Sequence, residues 1–285
     1  MNFHVLALLL VTLVWGATFP VLKLATAHLS GVEVSALRFL IAALCMAPLA
    51  LRAPRRTWTD GALLGALVLV SYVAQAFGLE FISSNRSAFL TSLNVLMVPL
   101  LGIAFGARPS LLVLGCAALA CGGIGLMSWE GGADLVADAA TVFSALAYAL
   151  YVIFLSQWSL RHVPQQLAAT QIIWMALLGT LWMVFDAQGT DKLQTLVARV
   201  DGPRLAGLAY LGVVATAGML FLQALAQRHV SANKAALIYA MEPVFAALFA
   251  WWWLTERLTL QAALGGAMVV FAVVLSDWKS SGQPA

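Results

Sequence analysis

Charged residues are scarce in this chain. Only 9% of its 285 residues are Asp, Glu, Lys or Arg, whereas 62% are hydrophobic. Soluble globular domains carry about 25% charged residues, so this composition excludes an ordinary water-soluble domain. The net charge of +3 comes from thinly spread basic residues rather than from a basic cluster, and the sequence therefore predicts no binding to nucleic acid.

Cysteine and the sequence signatures of catalysis are also rare. The three cysteines, Cys45, Cys116 and Cys121, all lie inside apolar runs, which is typical of small buried side chains and implies no disulfide. No GxxxxGK[ST] phosphate-binding loop is present, which excludes ATP hydrolysis by this chain, and no HExxH metal-binding motif is found. We therefore expect no cofactor, no metal and no enzymatic activity. The histidines fall at predicted helix ends, where we expect them to be solvated: His4, His28, His162 and His229.

What the chain has in abundance is long apolar runs. Each is about 20 residues long, which matches the hydrocarbon core of a bilayer. Such runs predict an all-α polytopic membrane protein, with the lipid bilayer as its surroundings. The first run continues beyond Trp15 and has no preceding Lys or Arg, so we interpret it as a membrane helix rather than a cleaved signal. Ten transmembrane helices are predicted, at residues 3–23, 33–52, 60–80, 84–105, 109–129, 136–156, 166–186, 204–225, 231–253 and 259–277.

One stretch of the sequence occurs twice. Residues 83–94 read SSNRSAFLTSLN and residues 231–242 read SANKAALIYAME, which corresponds to a shift of 148 (231 − 83). We therefore divide the chain into two five-helix halves, residues 4–128 and 138–276, followed by a short disordered tail at 279–285. Other residues match in the same order along the two halves, namely Trp15 with Tyr148, Arg38 with Gln171, and Gln75 with Gln223.

The odd number of helices in each half fixes the relative orientation of the halves. If one half begins in the cytoplasm, the other begins outside, so the halves are upside down relative to each other. Inverted repeats that meet around a site near the bilayer midplane are the usual architecture of secondary transporters. We therefore predict a central cavity between the halves. Because each half supplies the other's inverted partner, we expect the chain to function as a monomer.

Lys and Arg in the short loops indicate the orientation in the membrane. In the first half, Arg52, Arg55, Arg56 and Arg108 fall on the side of the N-terminus, and Lys23 falls on the other side. In the second half the two sides are nearly balanced. We predict that both termini are cytoplasmic.

Glu242 is the one acidic residue that we place at the midplane. It lies about 11 residues, or about 16 Å, from either end of its predicted helix. An ionised carboxylate facing lipid at that depth would cost at least about 2.5–3.5 kcal/mol. Glu242 is therefore protonated, or it faces a wet cavity or a partner. Its role stays open between carrying a coupling proton, contacting a substrate ammonium, and holding a helix break at Pro243.

Polar and aromatic residues at matched depths predict the wall of the central cavity. Thr91 and Asn94 share one face of their helix, and Tyr239 and Glu242 share the matching face in the second copy. For any residue taken alone, core packing or hydrogen bonding between helices is the simpler interpretation. The predicted lining consists of Trp15, Thr18, Tyr72, Gln75, Thr91, Asn94, Tyr148, Tyr151, Gln223, Tyr239 and Glu242.

Three basic residues are candidates for capturing a charged group. Arg86 and Lys234 open the two copies of the repeated stretch, where a carboxylate or phosphate could be held at one mouth of the path. Snorkelling to lipid headgroups is the simpler interpretation for both. Arg38 lies about 8 Å inside its helix, where it could pair with a carboxylate that the sequence does not identify.

Four short motifs follow one another along the chain, namely WGATF at 15–19, LRF at 37–39, EPV at 242–244 and ERLT at 256–259. In their order and spacing they resemble the EamA-type members of the drug/metabolite transporter superfamily, over residues 4–128 and 138–276. Within that family the chain is similar to bacterial exporters of aromatic amino acids. It departs from the family pattern at Ala107, where the family usually has Glu, and at Asn94, which matches Glu242 in the repeat. The two halves are therefore not equivalent.

This resemblance implies a secondary transporter that exports small metabolites across the bacterial inner membrane by alternating access. The cargo that it implies is amino acids of a broad range, including aromatic ones. Lipophilic drugs and phosphorylated or nucleotide sugars are the alternative cargoes. Against them, we find no cluster of basic residues at the midplane for a phosphate and no acid in the first helix for a cationic drug. Proton coupling and facilitated diffusion both remain open, and a membrane-embedded enzyme is the least favoured function.

Overall fold

Helices make up all the regular structure in the residues that the computed structural model describes, namely 3–127, 134–186, 196, 199–253 and 259–280. Each of the ten predicted helices corresponds to one helical segment or to adjoining segments. In chain order the segments are α1 (Phe3–Gly16), α2 (Thr18–Thr26), α3 (Gly31–Ala50), α4 (Arg55–Phe81), α5 (Ser84–Ser92), α6 (Asn94–Ala104), α7 (Leu111–Met127), α8 (Leu135–Trp158), α9 (Pro164–Asp186), α10 (Gly202–Ala209), a π-helical segment (Tyr210–Gly218), α11 (Met219–Gln227), α12 (Ala232–Tyr239), α13 (Glu242–Trp253) and α14 (Leu260–Ser280).

Seven helical stretches in the described ranges are long and apolar enough to cross a membrane. They are Phe3–Thr26, Gly31–Ala50, Arg55–Phe81, Arg86–Ala104, Leu135–Trp158, Pro164–Phe185 and Gly202–Gln227. Two shorter apolar helices, Leu111–Leu126 and Leu260–Ser276, accompany them. The prediction of an all-α membrane protein is confirmed.

Two predicted features fall partly outside the described residues. The first three residues of the ERLT motif, 256–258, are not among them, and neither are residues 281–285 of the predicted tail. Residues 279 and 280, which we predicted to belong to the tail, are part of α14, because that helix continues to Ser280.

Side-chain contacts define two ends of the helical bundle. At the first, which we call the Glu33 end, the start of α3 lies beside the last turn of α4, because the backbone N–H of Gly31 donates to Oε1 of Glu80 at 2.5 Å. At the second, which we call the His162 end, Nε2 of His162 lies 2.7 Å from Oδ2 of Asp60, near the start of α4. The length of α4 therefore separates the two ends.

The two copies of the repeated stretch start at opposite ends of the bundle. α5 starts at the Glu33 end, where Arg86 pairs with Asp138 in the first turn of α8. α12 starts at the His162 end, where His229 stacks on His4 at the start of α1, with ring centroids 4.0 Å apart. α1 starts at that end because α2, which continues it, reaches the Glu33 end, where Lys23 donates to the carbonyl oxygens that close α4.

Three helical stretches are interrupted near their middle. α1 gives way to α2 at Ala17, α5 to α6 at Leu93, and α12 to α13 at 240–241. Proline explains two of these breaks. Pro20 and Pro243 have no N–H to donate to the carbonyl four residues earlier, and their rings crowd that carbonyl.

Two of the interruptions lie at matched positions in the repeat. Under the shift of 148, Leu93 corresponds to Met241. A new helix therefore begins at Asn94 in the first copy and at Glu242 in the second. The fold thus places two helix N-termini, which carry partial positive charge, in the middle of the bundle.

A π-helical segment joins α10 to α11 and packs against α3. Within it, the hydroxyl of Thr216 donates to the carbonyl of Leu211, five residues earlier, at 2.7 Å. Gly212 allows the close approach to α3, because an added Cβ would lie 2.8 Å from the carbonyl oxygen of Arg38. π-helical turns occur frequently at functional sites, and this one holds Thr216 beside Arg38.

We expect the Gly212→Ala variant to be less stable than the wild type by about 1–3 kcal/mol, as overpacked cores usually are. The added methyl group would press on a backbone oxygen of α3, which moves only if the helix moves. Thermal unfolding of the detergent-solubilised protein, followed by tryptophan fluorescence, would show a lower melting temperature. Gly115→Ala is the matched control, because no atom lies within 4 Å of its added Cβ. Equal melting temperatures for the two variants would contradict the tight packing.

Candidate functional site

A small polar cavity of about 30 Å³ lies among the interrupted helices and their neighbours. Eight of the eleven predicted lining residues face it, and Arg38 joins them. Ser71 also lines the cavity but was not predicted, although its position one turn before Gln75 on α4 was a usable signal. The lining residues are Trp15, Thr18, Arg38, Ser71, Tyr72, Gln75, Thr91, Asn94, Tyr148 and Glu242.

Arg38 is a buried cation that is held by a hydroxyl group and aromatic rings. The residue is 5% exposed. Its Nε and Nη2 donate to Oγ1 of Thr216 at 3.0 and 2.9 Å, and its guanidinium carbon lies 4.9 Å from the ring centre of Tyr72. Among the described residues no ion pair joins it to a carboxylate. A guanidinium desolvated in this way, with Nη1 still able to donate, is a suitable partner for the carboxylate of a ligand.

Glu242 places a carboxyl group in the same cavity. It is the first residue of α13, and the N-terminal end of a helix favours a negative charge. α1 packs closely on its backbone, because an added Cβ on Gly16 would lie 3.0 Å from the carbonyl oxygen of Glu242. Within the described part of the chain, its carboxyl group takes part in no ion pair. The group is therefore positioned to contact a molecule in the cavity.

Aromatic rings form one wall of the site. The rings of Trp15 and Tyr148 meet edge to face with centroids 6.0 Å apart, and Tyr239 packs against them at 5.8 and 6.0 Å. The indole N–H of Trp15 donates to the carbonyl of Ala215 at 2.9 Å, so the π-helical segment fixes the indole. Such rings offer a rigid apolar surface at low entropic cost.

Tyr151, Gln223 and Tyr239, which we predicted to line the cavity, lie in a buried network behind it. Nε2 of Gln223 donates to the hydroxyl of Tyr148 at 2.9 Å, and Oε1 of Gln223 accepts from the hydroxyl of Tyr151 at 3.2 Å. Oε1 of Gln227 accepts from Gln223 at 2.9 Å and from Tyr239 at 3.2 Å. Tyr148 is the member that reaches the cavity, so the network holds the phenol wall in position.

The two basic residues that open the repeated stretch lie away from the central cavity. Arg86 binds both carboxylate oxygens of Asp138, with Nε–Oδ1 at 2.7 Å and Nη2–Oδ2 at 2.5 Å. The sequence suggested that Arg86 captures a charged ligand or reaches lipid headgroups. The structure instead pairs it with Asp138, an acid of α8. A second ion pair at the same end joins Arg199 to Glu33 at 2.5 Å. Lys234 lines a separate apolar groove.

His162 corrects the prediction of four solvated histidines. Its side chain is 3% exposed. Nε2 lies 2.7 Å from Oδ2 of Asp60, and Nδ1 lies 3.0 Å from Oγ1 of Thr57. The three groups join the start of α4 to the turn between α8 and α9. Thr57 is itself 1% exposed, so its hydroxyl is out of reach of a substrate. The cluster of Asp60, Thr57 and His162 therefore links the two halves of the sequence.

We expect the His162→Ala variant to lose about 1–3 kcal/mol of stability, because the buried hydroxyl of Thr57 and the partly buried carboxylate of Asp60 would lose their partner. The measurement is the melting temperature in detergent. His28→Ala is the control, because His28 is exposed and only its backbone oxygen accepts a hydrogen bond from Arg199. If His162→Ala had the same melting temperature as His28→Ala, the contacts of His162 with Asp60 and Thr57 would contribute nothing to stability.

The chemistry of the cavity is that of non-covalent recognition. A guanidinium, a carboxyl group, two amides and three hydroxyls of Ser and Thr surround a small space beside aromatic rings. In the described ranges no group of three or more His, Cys, Asp or Glu side chains is arranged to hold a metal ion.

Known proteins resemble this chain over nearly its whole length. The family model described as the EamA-like transporter family matches residues 2–129 and 135–276. An uncharacterized transporter from Archaeoglobus fulgidus is 28% identical over 277 residues, which cover 95% of this chain and 84% of that protein. A crystal structure of a protein that is 16% identical superposes with a TM-score of 0.78 over 99% of both chains, so the fold is shared with it.

Proposed function

The chain belongs to the EamA-like transporter family, and from that premise we propose that it is a secondary transporter that carries amino acids across the membrane by alternating access. The proposed setting is the bacterial inner membrane, with ten membrane helices, both termini in the cytoplasm and export as the direction of transport. The cargo, the mechanism and the setting each extend beyond family membership.

The observation that carries the choice of cargo is the presence of one cation and one acid in the same cavity. Arg38 and Glu242 both line it. A free amino acid presents a carboxylate and an ammonium on one carbon atom, so a guanidinium and a carboxyl group match both of its charges. A phosphorylated sugar would call for more than one cation, and among the described residues of this lining Arg38 is the one basic residue.

The rest of the lining supports a broad range of side chains. Trp15, Tyr72 and Tyr148 give the cavity an aromatic surface that binds apolar groups without selecting a single shape. Gln75 and Asn94 add amides that can donate to or accept from a polar side chain. Phenylalanine and threonine are therefore both reasonable cargoes.

Alternating access is supported by the size of the cavity. Its volume of about 30 Å³ is roughly a tenth of the smallest ligand sites, which measure about 300–1,000 Å³. The protein must therefore open to load an amino acid. The opposite directions of α5 and α12 suit a motion in which one half rocks against the other about a midplane site.

The test is uptake by purified protein in liposomes. We expect saturable uptake of labelled phenylalanine and threonine above the level of protein-free liposomes, with glutamate and lysine taken up less because their extra charge has no partner in the cavity. Each uptake is measured with and without a pH gradient. Absence of uptake for all four amino acids would contradict the proposed cargo.

Two analogues test the charge matching directly. Phenethylamine lacks the carboxylate of phenylalanine, and 3-phenylpropanoate lacks the ammonium. We expect each analogue to inhibit uptake of labelled phenylalanine at least ~10-fold more weakly than unlabelled phenylalanine does. The reason is that each analogue leaves one buried charge of the protein without its partner. Equally strong competition by phenethylamine would favour a transporter of lipophilic cations instead.

A further inference from the structure

An apolar groove lies between α1, α12 and α14, apart from the central cavity. Its volume is about 500 Å³, and it shares no lining residue with the cavity. This volume falls within the range of small-molecule sites, about 300–1,000 Å³. The groove is therefore large enough to hold a ligand of its own.

The groove is built from one apolar face of each of the three helices. Val5 and Leu9, four residues apart on α1, meet Leu237 and Ile238 of α12. Leu237 and Ile238 are 1% and 2% exposed, so this floor is covered by the protein. Val274 on α14 is 54% exposed and lies at the rim. The groove thus opens sideways, towards the region that the bilayer occupies.

The polar residues of the groove lie at one end, and one of them is a lysine. Among the described residues of its lining, Lys234, in the first turn of α12, and Ser276, near the end of α14, are the polar members, and none of these residues is acidic. Both lie at the His162 end. The N-terminal end of α12, capped by Ser231, adds the partial positive charge of a helix N-terminus. Lys234 and Met241 are seven residues apart, about 10 Å at the rise of a helix, so the apolar part runs inward from the end that carries Lys234.

We propose that this groove binds an anionic phospholipid, with one acyl chain along its floor and the phosphate at Lys234. The apolar floor matches the chain, and the lysine at the mouth matches the phosphate charge. Basic pockets between membrane helices bind anionic headgroups elsewhere. The matched residue of the first copy, Arg86, holds a carboxylate in the same way, which indicates that this position of the repeat suits an anion.

Native mass spectrometry of the full chain in a neutral detergent tests the proposal. The probes are dioleoyl phosphatidylglycerol, which is anionic, and dioleoyl phosphatidylcholine, which is zwitterionic. We expect one phosphatidylglycerol per chain to bind more tightly than phosphatidylcholine. Lys234→Gln should weaken the binding of phosphatidylglycerol about fivefold, which is the effect of losing one basic residue near a membrane surface. The binding of phosphatidylcholine should stay unchanged.

Matched variants separate the groove from the rest of the surface. Val274→Trp places an indole over the groove and should weaken both lipids, whereas Leu264→Trp, on an exposed part of α14 outside the lining, should weaken neither. Arg52→Gln removes an exposed charge away from the groove and should leave phosphatidylglycerol binding intact. Glycerol 3-phosphate, which has no acyl chains, should not compete.

Several results would overturn the proposal. Equal binding of the two lipids, or equal effects of Lys234→Gln and Arg52→Gln, would remove the role of Lys234. Equal effects of the two tryptophan variants on lipid binding would show that the acyl chain does not lie in the groove. Full competition by glycerol 3-phosphate would make the site one for free phosphates, and formation of dimers in place of lipid adducts would assign the groove to a second copy.

Discussion

Transport of phenylalanine is expected to fall at least ~30-fold when Arg38 is replaced by glutamine. Removing one partner of a buried, hydrogen-bonded charge pair costs about 2–5 kcal/mol, and about 1.4 kcal/mol corresponds to a factor of ten. Glutamine keeps an amide that can bond the hydroxyl of Thr216 but loses the charge. The measurement is the initial rate of uptake against substrate concentration in liposomes, with the protein amount matched between samples.

The melting temperature of the Arg38→Gln variant distinguishes a loss of substrate binding from a loss of folding. In the part of the chain that the structure describes, Arg38 has no acidic partner, and such a buried cation contributes little to stability, so we expect an unchanged or raised melting temperature. Arg161→Gln, at an exposed position, should transport like the wild type. Phenethylamine has no carboxylate, so its binding, measured by its effect on the melting temperature, should be the same in Arg38→Gln and in the wild type. A loss of phenethylamine binding in the variant would mean that Arg38 shapes the cavity rather than binding the carboxylate.

Glu242→Gln is expected to disrupt binding of the substrate ammonium, as Arg38→Gln disrupts binding of the carboxylate. Phenylalanine transport should again fall at least ~30-fold, since the ammonium loses its partner, and any response of transport to a pH gradient should disappear. The acid 3-phenylpropanoate has no ammonium, so it should bind to Glu242→Gln as it binds to the wild type. The two variants together assign each charge of the substrate to one residue, which neither variant does alone.

The controls for Glu242→Gln address proton movement and substrate binding separately. Asp201→Asn removes an acid at the protein surface, and asparagine caps a helix as well as aspartate, so transport should not change. Glu242→Asp keeps the carboxyl group on a shorter side chain and should retain a response to the gradient. A pH-gradient response that persists in Glu242→Gln would exclude Glu242 as the proton carrier. Unchanged affinity for phenylalanine would exclude its role at the ammonium.

Sequence reasoning succeeded where the physics is periodic and local. The apolar runs predicted the helices to within a few residues, because a bilayer fixes the length of a spanning helix. The internal repeat located part of the cavity, because two matched pairs, Trp15 with Tyr148 and Asn94 with Glu242, line it. Gln223 and Tyr239, which match Gln75 and Thr91, lie behind it. Asn94 and Glu242 were found in this way, and the structure explains their positions as the first residues of α6 and α13.

Contacts between distant parts of the chain could not be predicted from the sequence. Asp60 and His162 lie 102 positions apart, and Arg86 and Asp138 lie 52 apart, with no shared pattern to indicate either pair. The π-helical segment was also missed. It packs closely on α3 through Gly212, and hydropathy does not record such a contact.

The contacts that close the two ends of the bundle differ in kind, and dissolved ions would act on them unequally. The Glu33 end is held by two ion pairs of guanidinium and carboxylate, one of which includes an Arg199 side chain that is 37% exposed. The His162 end is held by a more deeply buried imidazole. Mobile ions screen exposed charges over a Debye length of about 8 Å at physiological ionic strength, and they screen buried pairs much less. The ionic strength of the medium on one side of the membrane would therefore loosen one end more than the other. In the proposed alternating-access cycle, a solute that never enters the cavity would then bias which end opens.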